Sequence, residues 1–535
     1  MDNPIEVLKE YLKKKDYYNA IQETKVLLKK SPNNIPLLNF LGVAQNLNKQ
    51  FKDSISTFKK TLKLDPSQTK ILINLASAYK KDNQFKNAIK IYSGLFTGEI
   101  KTIKHGIALM NCYYDNRNID LCIITCKKIL KKDKNNMETL IKLANCLWLS
   151  RDYKEGLKYL NYAKEIEPKN TNILILMAAI YSDLESYKKS EDLYKLILKD
   201  NDSENFYFIF NNLGILYKNQ GKIKKAKKYF KYGLNIRPDD EYLNRSLGVL
   251  LLDNNEQREA IQYLVKGGEN CKSILLWVYY NLDLNFEYDD LLDSIVSSNP
   301  FSMRVASVTD FVSEQNDTDN KYPLCPDNIN LMRHMNINKE LNEQKFSFEK
   351  LINECRSKKM MWEPKESNTF LGYQTFGNLF EIDSPNINIL RKTIEQKILD
   401  YKNQITTKEE ILFTKYWPNE MNFKAWLVEL KSDGWQASHI HSKGWLSGVF
   451  YITIPPDLKL NEGSIEFTKY GEKETSKFKK NSTARKIIRP EQGDLVLFPS
   501  SLFHKTHPFK SKSNRLCIGF DLLPREEIKT KNKII

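Results

Sequence analysis

Of the six histidines in this 535-residue sequence, four (His439, His441, His504 and His507) fall between positions 439 and 507. In Ser438-His439-Ile440-His441 two imidazoles stand at i and i+2, and on an extended strand such residues share a face. Two neutral ring nitrogens there can meet one metal ion, leaving a further ligand to come from elsewhere in the chain. His504 is the candidate, because it follows the strand-like run Leu495–Phe498 and the turn-like Pro499-Ser500-Ser501. Eleven residues later Arg515 opens the next strand-like segment, and an inward guanidinium is the preferred group for gripping a carboxylate with two parallel hydrogen bonds. His507 comes after a turn and outside the pattern, so it is expected at the surface.

The elements that must position these residues read as strands. Lys424–Leu430, Leu446–Ile454, Ser464–Phe467, Asp494–Phe498 and Leu516–Phe520 are short, rich in β-branched and aromatic residues, and bounded by Gly, Pro, Asn or Asp. Strands at such short intervals predict a sandwich or barrel, and two helices, Phe346–Arg356 and Ile387–Lys402, are expected ahead of it. Trp445 and Tyr451 are candidates either to line the pocket or to fill the core.

Two histidines in H-x-H, a distal histidine and an arginine, with strands on either side, resemble the Fe(II)/2-oxoglutarate-dependent oxygenases. The likeness is greatest to a branch in which tetratricopeptide repeats precede the oxygenase domain. Its H-x-H-x-x-G-W-x-S-G element matches 439–448, and its G-x-L-V-L-F-P-S-x-x-x-H element matches 493–504. A third, T-x-x-G-x-Q-T, matches Thr369, Gly372, Gln374 and Thr375, with no chemical role evident from sequence. The resemblance implies a double-stranded β-helix (jelly-roll, cupin-like) in which His439 and His504 ligate Fe(II) and Arg515 pairs with the C5 carboxylate of 2-oxoglutarate. It implies hydroxylation of a C–H bond, coupled to decarboxylation of 2-oxoglutarate to succinate and consuming molecular oxygen.

Where most members of that superfamily carry Asp or Glu, this chain has His441. A neutral ligand leaves more positive charge on iron than a carboxylate does. His441 is read as a third ligand, with a place behind the ligands as the alternative. Two other functions stay open at this stage: a repeat scaffold whose barrel has lost catalysis, and a three-histidine cupin-like metalloenzyme that does not use 2-oxoglutarate, for which Arg515 would be unnecessary.

The first half of the chain is periodic. Ala20, Ser54, Ala88, Cys122, Gly156 and Ser190 are spaced by 34 residues, and Pro32, Pro66 and Pro168 fit the same interval. After a two-residue slip near Ser203 the phase resumes with Leu213-Gly214, Tyr217, Ala226, Phe230 and Pro238, then Leu247-Gly248, Ala260 and Leu264. This pattern resembles tetratricopeptide repeats, each a helix–turn–helix: a small residue lets two helices approach, a ring fills the gap beside it, and proline stops the second helix. Eight such repeats are read over 1–270, a capping helix (274–284) and a polar linker over 271–327, and the oxygenase-like domain over 328–535. The expected architecture is therefore multidomain, an all-α repeat solenoid followed by a β domain with flanking helices. A solenoid offers a concave face for a protein or peptide partner.

Composition narrows the classes further. Hydrophobic residues make up 41% and charged residues 28%, which excludes fibrous and wholly disordered chains. The net charge of +17 raises nucleic acid as a partner, but the lysine runs Lys13-Lys14-Lys15 and Lys224–Lys228 fall on solvent-facing helix turns, so that reading ranks last. The longest apolar run, Ile173–Tyr181, is about half of what a membrane-spanning helix needs. The start carries acids in place of a secretory signal, and the eight cysteines are scattered without a CxxC, so a soluble, cytoplasmic protein with reduced thiols is expected. Cys122 and Cys126 are read as packing residues.

Overall fold

The computed structural model describes residues 4–524 apart from 98–101, 117, 201–205, 323, 365–366, 406–410, 476 and 481–483. The slip expected near Ser203 lies outside the described residues. The chain divides into two compact units, Met1–Ser186 and Tyr187–Ile535.

The first unit is a series of helix–turn–helix pairs, from Pro4–Lys13 to Thr171–Asp183. Ile35–Leu47 and Phe51–Leu64 show why the sequence folds this way. Asn34 caps the first helix by accepting from the Leu37 N–H at 3.0 Å. Lys49 then takes a left-handed conformation (φ +61°), and the Gln50 N–H reaches the Gln45 carbonyl at 2.9 Å, a Schellman closure. Lys15, Asn83, Arg151 and Glu185 adopt the same left-handed φ one or more 34-residue steps away. The second helix returns with Ser54 buried, its hydroxyl donating to the Gly42 carbonyl at 2.7 Å. Gly42 has no alternative at this site, since a Cβ there would lie 2.5 Å from the Phe58 ring. Burying that ring contributes about 2–3 kcal/mol.

The second unit begins with further pairs of the same kind. Gly214 faces Phe230 as Gly42 faces Phe58, so that a Cβ added to it would meet the ring at 2.3 Å, and Gly221 and Asn255 supply the left-handed turns. Against the single capping helix that the sequence suggests, the described residues of 271–327 form three α-helices: Lys272–Asn281, Asn285–Ser298 and Met303–Asn316. The last is buried on nearly every face. Its Asp310 accepts from the backbone N–H groups of Asp327 (2.7 Å) and Asn328 (3.0 Å), and Lys469 from the β domain lies 3.4 Å from it and 3.1 Å from Glu314.

The β domain is one curled antiparallel sheet of β1 (Arg333–Asn336), β2 (Met360–Trp362), β3 (Thr369–Thr375), β4 (Phe423–His439), β5 (Leu446–Thr453), β6 (Ile465–Thr468), β7 (Arg485–Ile488), β8 (Asp494–Pro499), β9 (Phe503–Thr506) and β10 (Arg515–Leu522). Their order is β1-β8-β5-β10-β4-β9-β6-β7, with the β2–β3 hairpin attached to β4. Alternate residues enter different cores. Phe450, Ile452, Ile518 and Phe520 pack outward with the helices Phe348–Arg356 and Pro385–Ile405. Val449, Tyr451, Val496, Phe498 and Cys517 form the inner face. Burial on both faces explains why these strands read as unbroken apolar runs. Among the described residues no helix is long and apolar enough to cross a membrane.

Candidate metal centre

His439 ends β4 and His504 lies on β9, and the two strands pair out of even register. Gln436 faces Thr506, and the next pair is His439 with His504, so three residues on β4 advance against two on β9. This bulge sets the direction of the His439 ring, because one residue fewer would turn His439 to the opposite face. It is held by the Ala437 N–H donating to the Asn368 carbonyl at 2.9 Å. His441 follows, and its backbone N–H donates to the Ser500 carbonyl at 3.0 Å.

The three rings converge. Centroids are 4.3 Å apart for His439 and His504, 4.9 Å for His441 and His504, and 5.2 Å for His439 and His441. One nitrogen from each ring lies within 4.8 Å of the others, close enough for all three to reach one ion. The other ring nitrogens decide the tautomers. His439 Nδ1 lies 2.7 Å from the Ala437 carbonyl and His504 Nδ1 3.2 Å from the Leu502 carbonyl; a carbonyl only accepts, so each Nδ1 carries the proton. His441 Nδ1 bonds to the Asp521 carboxylate. Nε2 of His439 and of His504 is thereby left with a lone pair, and Nε2 of His441 faces that of His439 across 3.2 Å. Burial pushes His439 down to about 3 and His504 well below the ordinary imidazole range, the neighbouring rings adding to both, so at neutral pH both are uncharged, the form that can donate to a metal.

Arg515 lies on the inner face and is 1% exposed. Its Nε–H donates to the Gly463 carbonyl at 3.0 Å, its Nη1 lies 3.6 Å from Cys517 Sγ, and its Cζ sits 5.0 Å above the Tyr451 ring. Among the described residues no carboxylate pairs with this guanidinium. The Tyr451 hydroxyl and Ser464 Oγ are also buried without a hydrogen-bond partner, and burial holds the Tyr451 phenol protonated. Charge and spare donors together fit an anion with several acceptor oxygens. The same inner core reaches the histidines, for the His504 ring lies 4.7 Å from Phe498 and 6.0 Å from Phe467.

Other sequence candidates separate. Trp445 is core, its Nε1 donating to the Phe413 carbonyl at 3.1 Å. His507 stays out of the cluster, partly exposed, and pairs with Glu466 at 2.6 Å. The T-x-x-G-x-Q-T element finds a role: Thr369 Oγ1 lies 3.5 Å from Gln374 and accepts from Gln436 Nε2 at 3.2 Å, and Gln436 accepts from Thr506 at 3.3 Å. That chain ties β3 to the two strands that bear His439 and His504. Asp521 escapes sequence reasoning; its one signal is an acid on the Arg515-Cys517-Gly519 face of an otherwise apolar strand.

Residues 424–521, from β4 to Asp521, match the family model described as "Putative 2OG-Fe(II) oxygenase". Residues 209–240 match the tetratricopeptide repeat model, and 115–197 match that of anaphase-promoting complex, cyclosome, subunit 3. Two curated relatives are 24% identical: anaphase-promoting complex subunit 3 of Schizosaccharomyces pombe over 134 residues (25% of this chain, 20% of that one) and human protein O-mannosyl-transferase TMTC3 over 167 residues (29% and 18%). The chain thus spans about a fifth of the length of each. Among solved structures, a tetratricopeptide repeat protein from Parabacteroides merdae is 18% identical with a TM-score of 0.39, covering 46% of this chain and 97% of that one. The chain combines tetratricopeptide repeats with a C-terminal domain that is similar to the family described as "Putative 2OG-Fe(II) oxygenase".

Proposed function

We propose that the protein is an Fe(II)- and 2-oxoglutarate-dependent dioxygenase acting on a protein or peptide that the repeats recruit. What supports this reading is the pairing, on one sheet, of three imidazoles with ring nitrogens turned together and a buried guanidinium that lacks a counter-ion among the described residues. His439, His441 and His504 would hold the iron, and Arg515, with the Tyr451 and Ser464 hydroxyls beside it, would bind the distal carboxylate of 2-oxoglutarate. Bound iron and cosubstrate would supply the activation of oxygen that couples decarboxylation to hydroxylation of a C–H bond. The chain's own work is to orient imidazoles through Nδ1, anchor an anion and exclude water with the Phe467 and Phe498 rings. Eight buried, unpaired cysteines fit a reducing compartment such as the cytoplasm. Tetratricopeptide arrays are interaction modules, which favours a polypeptide partner over nucleic acid.

The test is anaerobic purification, metal analysis and measurement of succinate formed from 2-oxoglutarate with Fe(II) and oxygen. Wild type should bind iron and release succinate, His439→Ala and His441→Ala should lose both, and Arg515→Ala should keep iron but lose turnover. No iron and no succinate would return the repeats to the role of scaffold; turnover indifferent to Arg515→Ala would favour a three-histidine enzyme without this cosubstrate.

A further inference from the structure

The ligand set inferred above is neutral, yet a carboxylate stands directly behind it. We propose that Asp521 is a positioning residue of the metal centre, fixing the His441 ring through Nδ1 and supplying, one hydrogen bond back, the negative charge that the three imidazoles lack. The proposal rests on the reading of those histidines as a metal site. Ser447, the register partner of Asp521 on β5, donates to its Oδ1 at 2.7 Å, and Ser447 Oγ meets Ser500 Oγ at 2.8 Å. Both serines are fully buried and Asp521 nearly so. Ser500 also accepts the His441 backbone N–H through its carbonyl, so this network holds His441 from both its backbone and its ring. Gly444 completes the fit: a Cβ there would lie 2.5 Å from Ser500 Oγ and 3.2 Å from Asp521 Oδ1. The spacings in H-x-H-x-x-G-W-x-S-G and F-P-S bring His441, Gly444, Ser447 and Ser500 around a carboxylate that neither element contains. A carboxylate on the far nitrogen of a metal-bound histidine fixes tautomer and ring plane, and its removal typically weakens metal binding 10–100-fold.

The experiment titrates the metal-free full-length chain with Co(II) without oxygen, reading the dissociation constant and the visible ligand-field bands. Asp521→Ala should bind cobalt about 10–100-fold more weakly with altered bands. Asp521→Asn, which keeps an acceptor oxygen without the charge, should fall between it and wild type in affinity, with bands near those of wild type. Circular dichroism checks folding; if Asp521→Ala does not fold, Asp521→Asn alone decides. Affinity and bands equal to wild type in the folded variants would overturn the proposal while leaving the metal site intact. Wild type without cobalt binding, or binding unchanged in His439→Ala and His504→Ala, would instead remove the oxygenase reading and this proposal with it.

Discussion

Replacing Arg515 by methionine should leave the ligand-free protein at least as stable as wild type while removing most of its grip on 2-oxoglutarate. The guanidinium is buried, its Nε–H bonded to Gly463 O and its plane against the Tyr451 ring. Losing these costs about 1 kcal/mol and roughly 0.5–2 kcal/mol respectively. Against that, an unpaired buried charge carries a desolvation penalty of several kcal/mol, which methionine does not incur at comparable stem length. With a carboxylate ligand in place the sign reverses: two charge-assisted hydrogen bonds are lost, about 3 kcal/mol or roughly a hundredfold in Kd. The assay is anaerobic thermal or denaturant unfolding with Fe(II), with and without 2-oxoglutarate at about 100 times the wild-type Kd. Wild type should gain about 2.7 kcal/mol from the ligand and the variant only about 0.4 kcal/mol. Equal gains would refute the carboxylate assignment. A variant much less stable without ligand would show that Arg515 serves the fold.

Acid should destabilise the metal-free protein through the histidines. The folded-state value of His439 lies at about 3 against an ordinary 6.5, so the unfolded chain takes up the proton first. Its contribution is complete above about pH 6.5 and is lost on descending towards pH 3, and His439→Asn should flatten that part of a stability–pH profile. In the repeats, Gly214→Ala would force a methyl to 2.3 Å from the Phe230 ring, and chemical denaturation should report a loss of about 1–3 kcal/mol, relieved in part by Phe230→Leu. All eight cysteines are buried, so an aromatic disulfide reagent should label the native protein slowly and release eight equivalents once it is denatured.

The repeats were legible because packing selects side-chain size at fixed intervals: Ala20, Ser54, Ala88 and Cys122 are small where two helices touch, and that regularity is plain in the residues themselves. The turns between those helices were not. Lys15, Lys49, Asn83, Arg151, Glu185 and Asn255 all adopt the left-handed region, which costs a non-glycine residue about 1–2 kcal/mol, and the Schellman bonds absorb this with no shared side chain. In the β domain, the i and i+2 spacing of His439 and His441 was visible, but their meeting with His504 depends on a bulge beyond Gln436 that has no proline or glycine to announce it. Asp521 reads as the end of a strand until β5 and β8 bring Ser447 and Ser500 beside it. The polar letters Ser313–Asn316 suggest a linker, yet Gln315 accepts from the backbone N–H groups of Lys479 and Lys480. Polarity there reflects bonding inside the fold.

The helix Met303–Asn316 bears on how such a chain can be dissected. Its apolar residues belong to the same core as β5 and β10, and Asp310 and Glu314 answer a lysine carried on the loop after β6. A fragment beginning at 328 would keep the three histidines but expose that core and strand Lys469 without its acids. Any exchange of one set of repeats for another would therefore have to cut upstream of residue 303, because this helix packs as part of the β domain.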